Sequence, residues 1–299
     1  MDIRRSKEWG DYLTSINWQI EKFGKNQAFI RKLPLLPYSV IKIQHPINPL
    51  LFKKIDQIAR KHKALFVLVE PEEKGFNQNL FLKQGYQKSR MSLTHTSTIY
   101  IDLTLSKEKL FSSFSENARR NIKKAQSNNL TVKKVFLKDE KDDTQFKKFY
   151  ELLHNLTKLK KFYVPGYGEF YKKMLVLKNS SILLFAYQDN NPIAIVWTAF
   201  MNKYMFYLHT GVTQKGYNLL ANYLLVWEAL KLAQKLKLKV FDFEGIYDPR
   251  FPKQRQSWKG LSQFKKRFHG KLIEYPQPQI KFYNKVFKLF YLCGNLFSR

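Results

Sequence analysis

One cysteine, Cys293, stands in 299 residues. No intrachain disulfide can form, and no paired-thiol zinc site can be built. The six histidines, at positions 45, 62, 95, 154, 209 and 269, fall in neither an H-E-x-x-H nor a His-x-His spacing, so no metal is expected. A G-x-S-x-G nucleophile elbow is absent as well. The longest uncharged apolar stretch runs from Pro192 to Met201, well short of the ~20 residues that span a bilayer. The opening Met1-Asp2-Ile3-Arg4-Arg5 leads into polar residues rather than the apolar core of a secretory signal. These absences set the expectation of a cytoplasmic protein, soluble or held at the inner face of the plasma membrane.

Acidic residues are also scarce. Asp and Glu number 23 against 53 Lys and Arg, a net charge of +30. Such a surplus repels itself unless a polyanion shares the space. RNA, DNA, anionic lipid and phosphate-rich substrates are the candidate partners, with a generally lysine-rich composition as the bland alternative. What is plentiful is aromatic: 25 Phe, 17 Tyr and 5 Trp, which a disordered chain does not carry.

Periodicity alternates strands and helices throughout, an α/β (α+β) chain. Ala28–Lys32, Ser39–Ile43 and Ala64–Glu70 read as strands, with a helix from Leu50 to His62. Thr131–Leu137, Ile182–Tyr187, Ile193–Phe200 and Tyr204–His209 read likewise as strands. A helix from about Asn218 to Leu236 leads to a strand over Lys239–Glu244. In both halves a helix precedes a buried strand ending in Glu (Glu70, Glu244), then a loop and a short helix. This order suggests two similar α/β units. A helix from about Ser106 to Ser127 joins them, with Leu110, Phe114, Ala118, Ile122 and Ala125 on one face.

The opposite face of that helix carries Arg119, Arg120, Lys123 and Lys124, either a phosphate track or an exposed basic face. A second basic cluster, Arg250 to Lys271, has no acidic residue and interleaves Phe251, Trp258, Phe264 and Phe268. Rings and cations together suit nucleotides, and a surface helix with core-facing aromatics explains the pattern equally. Gly211-Val-Thr-Gln-Lys-Gly216 is placed like a phosphate-cradling turn before a helix. An acetyltransferase-type cradle needs small residues in a Q/R-x-x-G-x-G/A pattern, and Tyr217-Asn218-Leu219 obstructs that approach. The turn is read as one that has lost its coenzyme A grip, so no cofactor is expected. Asp242 and Glu244 alternate on a strand and share a face, as an acid/base pair or as partners of neighbouring cations. Lys281 to Leu292 is amphipathic, able to lie on an anionic membrane or to pack on its own domain.

The order of motifs resembles the FemA/FemX (FemABX) family of nonribosomal peptidyl transferases. Ser6-Lys-Glu-Trp9-Gly10 with Gln27-Ala-Phe-Ile-Arg31-Lys-Leu33-Pro34 resembles its opening. Phe114-Ser-Glu-Asn-Ala-Arg119-Arg-Asn-Ile-Lys-Lys-Ala125 is similar to its central R-x-x-I-x-K-A helix. The run Leu220 to Ala229, followed by Phe241-Asp242-Phe243, resembles its helix–strand unit, and Gly260-Leu-Ser-Gln-Phe264-Lys265-Lys-Arg-Phe268-His-Gly270 its closing G-L-x-x-F-K-x-x-F-G-G. The resemblance covers most of the chain.

It implies two tandem GNAT-like N-acyltransferase domains in the compact FemX-like form, without a coiled-coil arm. Domain 1 would be residues 1–105, with 276–299 returning to complete it, and domain 2, residues 106–275, would carry the transfer site. It implies an aminoacyltransferase, monomeric, moving an amino acid from aminoacyl-tRNA to an amine of a peptidoglycan precursor, lipid II or UDP-MurNAc-pentapeptide, to form an interpeptide bridge. The family lysine implicated in transfer falls on Lys265, beside Phe264. The substrate-binding T-x-x-R falls on Thr157 and Lys160, a departure, since lysine lacks the bidentate fork of arginine. Asp242 and Glu244 line the same presumed site, Glu244 where the family usually places Gly. Arg119, Arg120, Lys123, Lys124, Lys259, Lys266 and Arg267 are the candidate contacts to tRNA or other phosphate. The alternatives are an acyltransferase using an acyl-CoA or carrier thioester, and a non-catalytic RNA- or membrane-binding member.

Overall fold

The computed structural model describes residues 2–72, 75–160 and 164–293, the side chains of 158–160 excepted. The chain begins with α1 (Lys7–Ser15), β1 (Gln19–Phe23), β2 (Asn26–Lys32), β3 (Ser39–Gln44), α2 (Phe52–Lys61), β4 (Ala64–Glu70), α3 (Gln78–Lys83) and β5 (Gln87–Lys88). Then follow β6 (Ser97–Asp102), α4 (Lys107–Ser113), α5 (Glu116–Gln126), β7 (Thr131–Phe136), α6 (Thr144–Lys160), α7 (Tyr167–Leu177), β8 (Ser181–Gln188), β9 (Asn191–Met201) and β10 (Tyr204–Val212). The last stretch holds α8 (Gln214–Asn218), α9 (Ala221–Lys235), β11 (Val240–Asp242), α10 (Trp258–Lys266), β12 (Lys271–Glu274), β13 (Gln279–Phe282) and α11 (Lys285–Cys293).

These elements form two compact units. The first comprises Asp2–Thr96, Asp248–Gln256 and the chain from Glu274 on; the second comprises Ser97–Tyr247 and Ser257–Ile273. The sheet of the first unit has the order β1-β2-β3-β4-β13-β5, and that of the second β12-β6-β11-β10-β9-β8-β7. Both follow one plan. An antiparallel meander (β1-β2-β3, or β8-β9-β10) is followed by a helix, α2 or α9, and a parallel strand, β4 or β11. Beyond that strand lies an antiparallel partner from a distant part of the sequence, β13 or β6.

In the first unit, α2 buries Phe52, Ile55, Ile58 and Ala59 against Ile30, Ile41, Ile43, Val67 and Val69. Lys53 and Lys54 face water, as the helical period requires. In the second, Ala118 and Ile122 of α5 and Leu225, Val226, Ala229 and Leu230 of α9 cover one sheet face. Phe146 and Phe149 of α6 and Phe170 of α7 close over Trp197 on β9, with ring centroids 5.3, 5.5 and 6.3 Å away.

Three expected helices end differently. The joining helix is broken into α4 and α5 at Phe114, which is extended and turned into the core, while Ser115 starts a new helix by accepting from Ala118 N–H. The helix expected from Asn218 is split at Leu220, whose φ is +59°. Lys281 and Phe282, expected at the head of the C-terminal amphipathic segment, belong to strand β13, and Asn284 caps α11 by accepting from Phe287 N–H at 2.8 Å. Among the described residues no helix is long and apolar enough to cross a membrane.

Candidate functional site

In the second unit the parallel strands β10 and β11 pair only at Tyr204↔Val240, Met205↔Phe241 and Phe206↔Asp242. Past that point β10 continues to Val212 beside β9, with its register shifted between Tyr207 and His209. The bulge turns the strand and aims its side chains out of regular alternation. The sheet therefore opens between β10 and the chain that leaves β11. In the first unit the corresponding strands β3 and β4 stay paired to Gln44↔Glu70, the last residue of each. There Glu70 is bound by the backbone N–H groups of Leu93 and Thr94 at 2.7 and 2.6 Å.

Lys265, in the last turn of α10, reaches into the opening. Its side chain is buried, its Nζ donates to the Gly245 carbonyl at 2.7 Å, and the ammonium lies 5.6 Å from the centroid of the Tyr207 ring. Burial lowers its pKa to about 8, held from falling further by the charges of Glu244 and Asp242. Asp242 is fully buried, and its Oδ1 accepts from Thr98 Oγ1 and from Glu244 N–H, the latter at 2.7 Å. Glu244 is not on the strand: β11 ends at Asp242, and Glu244 has φ +57°. The alternation expected of these two carboxylates is replaced by a turn, held by Thr98 Oγ1 donating also to the Glu244 carbonyl at 2.9 Å.

Two groups that the sequence did not single out complete the opening. Burial pushes the Tyr207 hydroxyl pKa up. His209 is held well below the usual imidazole range by burial and by the charges of Lys173 and Lys265. The neutral ring accepts at Nε2 from Lys173 Nζ, 3.1 Å away. Nothing in the spacing of Tyr207 and His209 signals a site, because the bulge that places them depends on strand pairing.

The other candidates fall as follows. Phe264 packs edge-on to Tyr223, 4.9 Å between centroids, against the core. The Thr157 hydroxyl donates to His154 O within its own helix. The Lys160 side chain lies outside the described residues. Arg120, Lys123 and Lys124 are exposed on α5, and Arg119 is half-buried. Lys259 and Lys266 are exposed on α10, with Lys259 Nζ 5.0 Å from the Tyr247 ring centroid. Arg267 joins the two basic segments: its guanidinium donates to Tyr223 Oη, its carbonyl accepts from Ser115 N–H at 2.9 Å, and Tyr223 Oη donates to Asn117 at 3.5 Å.

The run Arg250 to Lys271 is thus not one ligand surface. Arg250 is committed to Asp248, 2.7 Å between Nη2 and Oδ2, and Arg255 donates to Ser92 Oγ at 2.8 Å. Phe251 and Phe268 are buried, so these two rings face the core, while Trp258 and Phe264 are half-buried.

The 211–216 turn does not fit a coenzyme A pyrophosphate. Gly216 N–H is taken by Thr213 Oγ1 at 3.0 Å, and Thr213 N–H by Ile193 O at 2.9 Å. A Cβ on Gly216 would stand 2.3 Å from Ile193 O, and one on Gly211 2.6 Å from the backbone of Leu152. Both glycines serve close packing. In the first unit Asp2, His45 and Glu72 bring ligand-type atoms within 4.8 Å of one another. Arg4 and Arg5 already neutralise the two carboxylates, at 3.0 and 2.5 Å, so a cation there would have to displace both guanidinium groups.

Three comparisons bear on this geometry. The acetyltransferase (GNAT) domain family matches residues 113–265. The crystal structure of FemX superposes with a TM-score of 0.80 at 15% identity, over 97% of this chain and 94% of that one. The C-terminal domain (DUF2156) of a putative lysylphosphatidylglycerol synthetase from Agrobacterium fabrum gives 0.66 at 12% identity, over 97% and 91%. L-PGS from Bacillus licheniformis gives 0.60 at 11%, over 92% and 87%. No curated protein matches. At these identities the solved structures establish the fold alone.

Proposed function

The chain belongs to the acetyltransferase (GNAT) domain family and has a FemX-like tandem GNAT fold, and on that premise we propose that it is an aminoacyltransferase. It takes an amino acid from aminoacyl-tRNA and joins it to an amine of a peptidoglycan precursor peptide, lipid II or UDP-MurNAc-pentapeptide, as a step in bridge formation. One observation carries the reading: a buried cation, Lys265, stands where β10 and β11 part, in a unit whose α5 and α10 present exposed cations.

The reaction is aminolysis of an ester. A neutral acceptor amine forms the C–N bond at the acyl carbon, the bond to the ribose oxygen breaks, and the proton lost by the amine ends on that oxygen. Charge builds on the acyl oxygen in between. The Lys265 ammonium, oriented by Gly245 O and the Tyr207 ring, stabilises that charge. Such a donor contributes about 3 kcal/mol in sites of this kind. Holding amine and ester together supplies much of the rest, and no enzyme nucleophile is needed.

A coenzyme A donor is disfavoured by the 211–216 turn, whose Thr213 and Gly216 N–H groups are already bonded and whose two glycines are filled by close packing. The test is incubation with mixed aminoacyl-tRNAs and a lipid-linked or nucleotide-linked muropeptide, read by mass, beside calorimetric titration of coenzyme A. A muropeptide heavier by one or more aminoacyl residues supports the proposal. Saturable coenzyme A binding with acyl-CoA-dependent transfer would replace it.

A further inference from the structure

The sheet of the first unit has two covered faces. One lies under α2 and α3. The other carries a small cluster, Leu65, Phe66, Leu68, Met91 and Ile280, against which α11 and the start of the β2–β3 loop pack. Helix α11 is fastened there by two residues. Phe287 stacks on Phe66 at 5.5 Å, and Tyr291 lies 5.0 Å from Phe282 with its hydroxyl accepting from Arg90 N–H at 2.7 Å. Its other apolar residues point away: Val286 is 63% exposed, Leu289 63% and Phe290 61%. Positions i, i+3 and i+4 form one stripe on a helix, so this is a continuous outward face.

A second apolar feature leaves the same cluster. Leu33 packs on it, and the β2–β3 tip that follows has Leu35 fully exposed and Leu36 55% exposed. The last rung of that hairpin is Lys32↔Ser39, Ser39 also pairs with Ala64 at the start of β4, and Phe282 at the end of β13 pairs with Phe66. The hairpin tip and the entry to α11 therefore emerge at one end of the sheet.

The charged residues that adjoin both features in sequence have one sign. Arg31, Lys32, Lys285 and Lys288 are exposed, and no acidic residue occurs from 22 to 55 or from 275 to 299. Two exposed apolar projections that carry cations and no carboxylate beside them in sequence, the nearby Asp56 being paired with Lys281 and Glu21 with Lys61, match a surface that is apolar beneath and anionic above. We propose that this end of the first unit docks on an anionic lipid bilayer. Leu35, Leu36, Val286, Leu289 and Phe290 enter the acyl region, and Arg31, Lys32, Lys285 and Lys288 meet the headgroup phosphates. The proposal does not depend on which donor or acceptor the second unit uses.

The test is co-sedimentation of the full chain with vesicles of phosphatidylcholine alone or mixed with phosphatidylglycerol, all variants at one salt concentration. The expected result is partition onto the mixed vesicles, weakened about tenfold or more by Leu35→Ser with Leu36→Ser, and again by Leu289→Ser with Phe290→Ser. A charge-only association with this basic chain would leave the four-fold apolar variant bound as the wild type is, and that result overturns the proposal. Because a surface variant can fail for other reasons, a second readout uses Leu35→Cys in a Cys293→Ser background with an environment-sensitive dye. A blue shift on the mixed vesicles supports insertion, and an unshifted spectrum overturns it. A concentration-dependent dimer abolished by Leu289→Ser with Phe290→Ser would assign the face to a second copy, likewise overturning the lipid assignment.

Discussion

The ammonium of Lys265 lies 2.7 Å from the carbonyl oxygen of Gly245, a hydrogen bond that aims a buried cation into the parting of β10 and β11. Replacing Lys265 with Met keeps the stem and removes the charge. Transfer should fall by about 10²–10³-fold, as when an oxyanion donor is deleted. Stability at pH 7 should hold or rise by up to about 2 kcal/mol, because burial makes this charge costly to keep even with Glu244 and Asp242 nearby. Steady-state transfer and denaturant unfolding check the two halves; retained transfer in a folded variant would remove Lys265 from the mechanism.

The same lysine sets a pH dependence. Its folded pKa is about 8 against an ordinary 10.5, so between those values the unfolded chain holds a proton that the folded one has released. Stability contributed at this site therefore rises with pH from about 8 to 10.5. The cost of the charged form, ~3 kcal/mol, is present in full below pH 8. Subtracting the unfolding curve of Lys265→Met from that of the wild type should leave this rise. Transfer should fall with a midpoint near pH 8, where the folded enzyme loses the cation, a descending limb that the variant lacks.

Salt should expose the basic faces. Each phosphate contact made by Arg120, Lys123 or Lys124 contributes roughly 0.7–0.9 to the slope of log K against log salt. Changing all three to Gln should weaken tRNA binding and flatten that slope by about 2. An unchanged slope in filter binding would return the α5 stripe to a solvated helix face.

Gly216→Ala distinguishes packing from phosphate cradling. Its Cβ would stand 2.3 Å from Ile193 O, a backbone atom that cannot swing aside. A loss of about 1–3 kcal/mol in unfolding free energy is expected. A stable Gly216→Ala protein would reopen the turn as a ligand site.

The periodic elements were readable before any coordinates. The spacing of Ile55, Ile58 and Ala59 makes α2, and Ala64 to Glu70, apolar without interruption until its last residue, makes a strand buried on both faces. Breaks inside helices were not readable. The run from Ser106 to Ser127 keeps one apolar face, and only the pull of the core on Phe114 interrupts it. Likewise, Asp242 and Glu244 obey a strand's period on paper, while Thr98, 144 positions from Asp242, bends the chain between them.

Composition and order were enough to establish an α/β chain and a cationic surface, since period and charge are local or additive properties, while the lysine at 265 was pointed to by the family resemblance. That Lys265 is sunk against Gly245 and Tyr207, that His209 is neutral beside Lys173, and that β3 and β4 stay zipped where β10 and β11 part were decided only by tertiary structure. Burial, strand register and the charges that meet in a low-dielectric interior arise from residues far apart in the chain, and no local pattern encodes them.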